Sequence, residues 1–342
     1  MSKKDVSMEA FDNLVVPMNS EDGTIQRETP KTHDEVKDFI HNGSISLKPK
    51  ELVMAELKWK YLVRSAVRAK NIMMTGPSGC GKTLAARSLW KALDRPNFYF
   101  NLGATQDPRA TLVGNTQFDK ERGTFFSQSA FITAIKTPDS VILLDELSRA
   151  HPDAWNILMT VLDEGQRYLR LDESPGSPIV NVAPGVTFIA TANIGNEYTS
   201  TRVIDRAMMD RFVTIEMDVL DKEQEYDLLK YMYPDVDEND LNAVAEIASH
   251  TRTQSSIDGG RLTEMVSTRS SVEMCGLLYD GFNLVEAAEI AILPFFDNDG
   301  VDSERTYVTQ YLQKFVKMGE EDRLFEEKDT DVDDIQSKIP IF

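Results

Sequence analysis

The stretch Asn71-Ile72-Met73-Met74-Thr75-Gly76-Pro77-Ser78-Gly79-Cys80-Gly81-Lys82-Thr83-Leu84 decides the fold. Its first five residues form an apolar run that reads as a buried strand, and from Leu84 to Leu93 the pattern becomes helical. Between them lies G-x-x-x-x-G-K-T, the spacing of a phosphate-binding loop with every fixed position filled. A loop at a helix N-terminus can close backbone N–H groups around phosphate oxygens, while Lys82 supplies a point charge and Thr83 a hydroxyl for Mg²⁺. Gly76, Pro77, Ser78, Gly79, Cys80, Gly81, Lys82 and Thr83, with Leu84 behind them, are therefore the candidate nucleotide contacts.

Composition bounds what can surround this loop. With 342 residues and a hydrophobic share of 41%, the chain can form one large or two modest cores. Its 37 basic and 56 acidic residues give a net charge of -19, which opposes a sequence-independent grip on a phosphate backbone and disfavours nucleic acid as partner. Cys80 and Cys275 are the two cysteines; one sits inside the loop, so no disulfide framework is expected and a reducing compartment fits. No apolar run reaches membrane-spanning length, and Met1-Ser2-Lys3-Lys4-Asp5 opens no signal-peptide pattern, so the expected location is cytoplasmic with no membrane partner.

Along the chain, residues 1–47 read as a polar, flexible N-terminal arm. Apolar residues at helical spacing then predict a helix over Glu51 to Ala69. After the loop, Asn97 to Leu102, Val141 to Leu144 and Val186 to Ala190 read as further strands, and Ser127 to Ile135 and Pro152 to Leu162 as helices. Apolar strands alternating with helices predict an α/β fold with a parallel sheet flanked by helices, spanning residues 48–218. Asp221 to Tyr233, Asp237 to His250 and Ser267 to Tyr279 read as helices without strands between them, so a small all-helical domain is expected over 219–297. Residues 298–342 read as a polar extension whose acidic segment, Glu320 to Asp334, is a solvated tail.

The chemistry-bearing residues fall at strand ends. In a parallel sheet the carboxyl ends of strands face the ligand crevice. The third strand ends in Asp145-Glu146: Asp145 is suited to hold Mg²⁺ beside Thr83, and Glu146 to orient and deprotonate a water attacking a γ-phosphate. Asn193, after the fourth strand, is either a turn former or a hydrogen-bonding group for that phosphate or water. Thr201 to Phe212 carries three arginines, Arg202, Arg206 and Arg211, which are either surface cations or groups reaching a neighbouring subunit's nucleotide.

With these residues in order, the chain from about Lys48 to Phe296 resembles the AAA+ ATPases, a branch of the P-loop NTPases, and within them the MoxR group. Asp145 to Ala150 looks like that group's strand-end signature, and Asp210-Arg211-Phe212 like its arginine-finger motif. The resemblance implies ATP as nucleotide, a homo-oligomeric ring, a hexamer, and a helical lid domain. It makes Arg211 the leading trans arginine and Arg206 the second candidate. Leu112 to Gly123 resembles the hairpin interrupting helix 2, and Arg167 to Val182 the hairpin before the sensor strand; in the family these face the ring axis or substrate. Val266 to Ser270 is similar to the sensor-2 motif, which implies that Arg269 contacts the γ-phosphate, although Thr268 stands where the family often has proline. Ser-Thr-Arg followed by Gly281 to Ala287 is similar to the ATPase subunit of cobalt chelatases, the CobS-like branch, whose partners commonly carry a von Willebrand factor A domain.

The expected function is thus an ATP-hydrolysing ring that remodels a protein client or adaptor. The alternative is an AAA+ nucleic-acid motor or nuclease-associated translocase, which the charge opposes. A nucleotide switch or small-molecule kinase is a third class, which Glu146 disfavours.

Overall fold

A computed structural model describes residues 32–121, 123–193, 204–257, 259–300 and 302–316, together with the backbone of 16–19 and 25–28. The acidic segment Glu320 to Asp334 and Arg202 lie outside the described residues. The chain divides into two compact units, Met1–Val219 and Leu220–Phe342.

Within the first unit, β1 (Val16–Asn19) and β2 (Ile25–Glu28) pair antiparallel. The central sheet has five parallel strands, β3 (Ile72–Thr75), β4 (Asn97–Asn101), β7 (Val141–Asp145), β10 (Thr187–Ala192) and β11 (Val213–Glu216), in the order β11-β3-β10-β7-β4. Alternation along the strands feeds two cores. Met73, Ile142, Leu144, Phe188 and Ala190 face one. Ile72, Met74, Val141, Leu143 and Ile189 face the other. Such runs are apolar on both faces because helices cover both, which is why they are legible as central parallel strands.

The helices sort accordingly. On one face lie α2 (Glu56–Val67) and α3 (Lys82–Leu93), through Trp59, Leu62, Ala85 and Leu89. On the other lie α5 (Ala130–Lys136) and α6 (Pro152–Leu162), through Phe131, Ile132, Leu158 and Leu162. The short α4 (Pro108–Leu112) leads into a hairpin of β5 (Gly114–Asp119) and β6 (Gly123–Gln128), and β8 (Tyr168–Arg170) pairs with β9 (Ile179–Asn181) in a second hairpin.

Several boundaries differ from the sequence reading. First, residues 32–47 are no flexible arm: α1 (His33–Asp38) is closed by a capping box in which Thr32 accepts from the Glu35 N–H and Glu35 accepts from the Thr32 N–H. Val36, Phe39 and Ile40 then join the core of Trp59, whose indole N–H donates to the Ser44 carbonyl at 2.7 Å. Full burial of an aliphatic or aromatic side chain contributes about 1.5–3 kcal/mol, so three such residues outweigh the polar composition around them. Second, α5 starts at Ala130 rather than Ser127, because β6 runs to Gln128 and Ser129 caps the helix. Third, the helix at Glu51 to Ala69 is shorter, Glu56–Val67, leaving Ala69 in the left-handed region at φ 50°.

The second unit is helical: α8 (Lys222–Met232), α9 (Glu238–Ser256), α10 (Thr268–Tyr279), α11 (Leu284–Ala291) and α12 (Glu304–Leu312). Its core gathers Leu229, Val244, Ala248, Met274, Cys275, Ala288 and Phe296. Here too the polar extension expected from residue 298 is corrected over its described part, because Val308 and Leu312 of α12 are buried in that core. A buried ion pair ties the unit together: Glu225 receives Arg252 through both guanidinium nitrogens at 3.0 Å, and Thr268 adds its hydroxyl at 3.0 Å.

Candidate active site

The register of the parallel sheet collects strand ends at one edge. Ala192 and Glu216 both pair with Thr75, Ala190 with Leu144, and Asn101 with Asp145. Gly76, Asp145, Glu146 and Asn193 therefore emerge together, where the chain order of the strands reverses and a ligand crevice is expected.

The loop from Gly76 to Thr83 turns on Gly76, Gly79 and Gly81 at φ 143°, 77° and 90°, conformations that side chains rarely adopt. At Gly76 the demand comes from a close approach as well: a Cβ there would lie 2.2 Å from the Met217 carbonyl oxygen. Lys82 opens α3 with its ammonium against the loop, donating to the carbonyls of Gly76 at 2.9 Å and Pro77 at 2.5 Å. Cys80 is buried, which pushes its thiol pKa up, although the nearby Lys82 works in the opposite direction. Leu84, one turn in, is exposed.

Asp145 is surrounded by hydroxyls. Thr83 Oγ1 lies 3.3 Å and 3.4 Å from its two carboxylate oxygens, Tyr99 donates to Oδ2 at 3.0 Å, and Thr191 donates to Oδ1 at 2.5 Å. Burial, then the Asp145 charge, push the Tyr99 phenol pKa up, so it stays a donor at neutral pH. No cation lies within ion-pair distance of Asp145 among the described residues, although it is only 8% exposed.

Glu146 leaves the strand with left-handed backbone, φ 57°, a conformation that costs a non-glycine residue about 1–2 kcal/mol. Its N–H is held by Thr191 Oγ1 at 2.9 Å, and its carboxylate lies 3.9 Å from Arg149. Gly103 makes the space: a Cβ there would sit 2.3 Å from Glu146 Oε2 and 2.8 Å from Glu146 Cβ. Thus the two adjacent acids are held by different contacts, Asp145 by hydroxyls and Glu146 through its N–H and beside Arg149.

The remaining candidates separate. Asn193 directly follows β10, half-buried, with no side-chain hydrogen bond among the described residues. Arg211 is tied to its own chain, donating to the carbonyls of Met159 at 2.9 Å and Ala207 at 2.6 Å and to Asp163 at 3.2 Å. Arg206, first residue of α7 (Arg206–Met209), is exposed and has no partner among the described residues. Arg269 is exposed at the second residue of α10, in the other unit. Tyr99, Gly103 and Thr191 are the site neighbours that sequence reading does not single out. A hydroxyl two residues before Asn193, at the carboxyl end of a mostly apolar strand, is the signal that could have marked Thr191.

Could these residues hold Mg²⁺? A buried carboxylate with only neutral donors is short of one positive charge, and a hydroxyl oxygen beside it adds a hard ligand. Among the described residues no group of three or more His, Cys, Asp or Glu comes together. That also fits, since Mg²⁺ is commonly held by one or two protein oxygens plus phosphate and water. Asp145 and Thr83 are the residues that would hold it.

Residues 71–212 match the family described as AAA domain (dynein-related subfamily). A protein of Thauera aromatica named as a candidate chaperone, BssE, is 35% identical over 162 residues, covering 47% of this chain and 54% of that protein. The chain thus spans about half the length of that relative. An uncharacterized protein of Staphylococcus saprophyticus is 30% identical over 212 residues, 61% of this chain and 78% of that one. A solved mutant of Thermotoga maritima RuvB overlaps 69% of this chain and 68% of its own at 14% identity and a TM-score of 0.46, too loosely to carry an argument. No helix among the described residues is long and apolar enough to cross a membrane.

Proposed function

We propose, from the premise that the chain belongs to the AAA+ ATPases through an AAA domain of the dynein-related subfamily, that it hydrolyses ATP and couples hydrolysis to remodelling a protein partner. The observation carrying this reading is the pair of acids at the end of β7. Asp145 is held among hydroxyls beside Thr83, while Glu146 is swung away from it by left-handed backbone. A phosphotransferase has its own acceptor to activate; a second acid beside the metal-holding one suits activation of water.

In this reading the loop N–H groups and Lys82 hold the phosphates. Bound Mg²⁺, held by Asp145 and Thr83, would draw charge from the phosphate oxygens. Glu146 accepts the proton of the attacking water, and Asn193 donates to that water or to the γ-phosphate. Arg206 is the arginine offered to the nucleotide of a neighbouring copy: it is exposed, with no side-chain partner among the described residues, whereas Arg211 anchors α7 against Met159 and Asp163. A site completed this way requires a homo-oligomeric ring, and we take a hexamer as the working size. Arg269 is carried by resemblance alone.

The client side of the proposal rests on the two hairpins and on the name of the Thauera relative. Phe118 of β5 and Ile179 of β9 are exposed at 75% and 60%, apolar groups on projecting strands. Remodelling within the MoxR group, its CobS-like branch, and a partner with a von Willebrand factor A domain are the finer form of the same proposal.

Phosphate release without added acceptor tests the reaction. The wild type should turn over, and Glu146→Gln should lose about 10²–10⁴-fold in kcat while still binding ATP. An active monomer would sink the ring, and stimulation by DNA instead of protein would replace the client.

A further inference from the structure

The hydroxyl of Thr191 touches both acids of the site. It donates to Asp145 Oδ1 and accepts from the Glu146 N–H, using its one proton and one lone pair. The register explains why: Ala190 pairs with Leu144, so the next residue of β10 lies beside the next residue of β7. Threonine is stiff at χ1, and this one is 2% exposed, so neither rotation nor water offers a substitute. From the opposite neighbour, β4, Tyr99 pairs with Leu143 and extends its phenol along the strand to Asp145 Oδ2. The carboxylate is thereby held at both oxygens by the two flanking strands.

We infer that Thr191 is a positioning residue that yokes Asp145 to Glu146, and that Tyr99 is a second one acting on Asp145 alone. The inference rests on the reading of Asp145 as metal-holding and Glu146 as water-activating. With the Thr191 hydroxyl gone, Asp145 loses one of the donors that aim it, and the left-handed turn at Glu146 loses the side-chain oxygen that accepts its N–H. Serine would keep the oxygen; valine would keep the volume and remove it.

The test uses the full chain with two readouts. Mn²⁺ binding in the presence of a non-hydrolysable ATP analogue is followed by electron paramagnetic resonance, and kcat and KM by phosphate release. Thr191→Val should weaken Mn²⁺ about 10-fold and lower kcat about 10–100-fold with a smaller change in KM, the scale of lost support behind a metal ligand. Thr191→Ser should recover most of both losses. Tyr99→Phe should weaken Mn²⁺ about 3–10-fold and raise the Mg²⁺ needed for half-maximal rate. Wild-type Mn²⁺ affinity and turnover in Thr191→Val, with Glu146→Gln inactive, would overturn the inference alone. Equal losses in the serine and valine variants would overturn it too, since packing rather than the hydroxyl would be responsible. Wild-type turnover in Glu146→Gln would bring down the reading beneath it.

Discussion

Asp145 and Glu225 are both buried carboxylates, one in each unit, and they are satisfied in opposite ways. Asp145 meets the hydroxyls of Thr83, Tyr99 and Thr191, which fix its direction and leave its charge uncancelled. Glu225, fully buried, meets both terminal nitrogens of the Arg252 guanidinium, and Arg252 spends its other donors on the carbonyls of Val266 and Leu220 and the hydroxyl of Thr268. Hydrogen bonds aim a charge, whereas an ion pair neutralises it. The difference marks Glu225 as neutralised within the protein, while the charge of Asp145 is met by neutral hydroxyls alone, which supports the proposed Mg²⁺ role. Arg211 and Arg206 repeat the contrast, with Arg211 engaged and Arg206 exposed without a side-chain partner among the described residues.

The sharpest way to break this comparison is at the arginines. Arg206→Ala should lower turnover by about 10³–10⁵-fold with ATP affinity retained, the scale of a trans arginine. Arg211→Ala should act first on the melting temperature; if it alone erases turnover in a fully folded protein, engagement within the chain does not tell the two apart.

At the acids, Asp145→Asn should reduce turnover roughly 10²–10³-fold and abolish its Mg²⁺ dependence while leaving urea stability unchanged or higher. Glu225→Gln should do the reverse: removing one partner of a buried ion pair typically costs about 3–5 kcal/mol, visible as a lower urea midpoint. A destabilised Asp145→Asn would show that its charge is needed for folding, against the contrast drawn above.

A smaller effect is expected at Gly103. Alanine there must push Glu146 aside, because its Cβ would approach Glu146 Cβ to 2.8 Å. A loss of about 10-fold in kcat with KM nearly unchanged is the expected result, the order of one misplaced catalytic group.

The smallest effect concerns α12 in the second unit. His250 stacks on Tyr311 at 3.7 Å and meets the Tyr307 hydroxyl at 2.9 Å, with Lys314 and Glu246 nearby. Burial, then the Lys314 charge, hold its imidazole below the ordinary pKa, with Glu246 opposing. The folded state therefore favours neutral imidazole: this contribution is complete above about pH 6.5 and fades as pH falls through the folded value. The melting temperature of wild type should drop slightly more between pH 7 and 5.5 than that of His250→Phe. Solvent access at this site keeps the difference small.

Much of the fold was legible because its parallel strands are continuous apolar runs ending in polar signatures, and because Pro and Gly mark the turn of the second hairpin. The loop and the acid pair are contiguous in sequence and so carry their own context. Residues 32–47 escaped because only Val36, Phe39 and Ile40 show the helical spacing, although Thr32-x-x-Glu35 is a capping-box signal. Tyr99 and Thr191 escaped for a different reason. Their contact with Asp145 depends on which strands are neighbours and in what register, information that no single segment holds. The tie of Arg211 to Met159 and Asp163 likewise needs the end of α6 brought beside α7.

Gly76 sits in the phosphate-binding signature, yet the Met217 carbonyl at the end of the sheet already forbids a side chain there. Its requirement is therefore architectural, while that of Lys82 is chemical. In a descendant that had abandoned nucleotide altogether, drift should erase the lysine early and the glycine late. A motif search would then still flag a half-signature, and the surviving first glycine would be a fossil of the strand arrangement rather than a trace of enzyme activity.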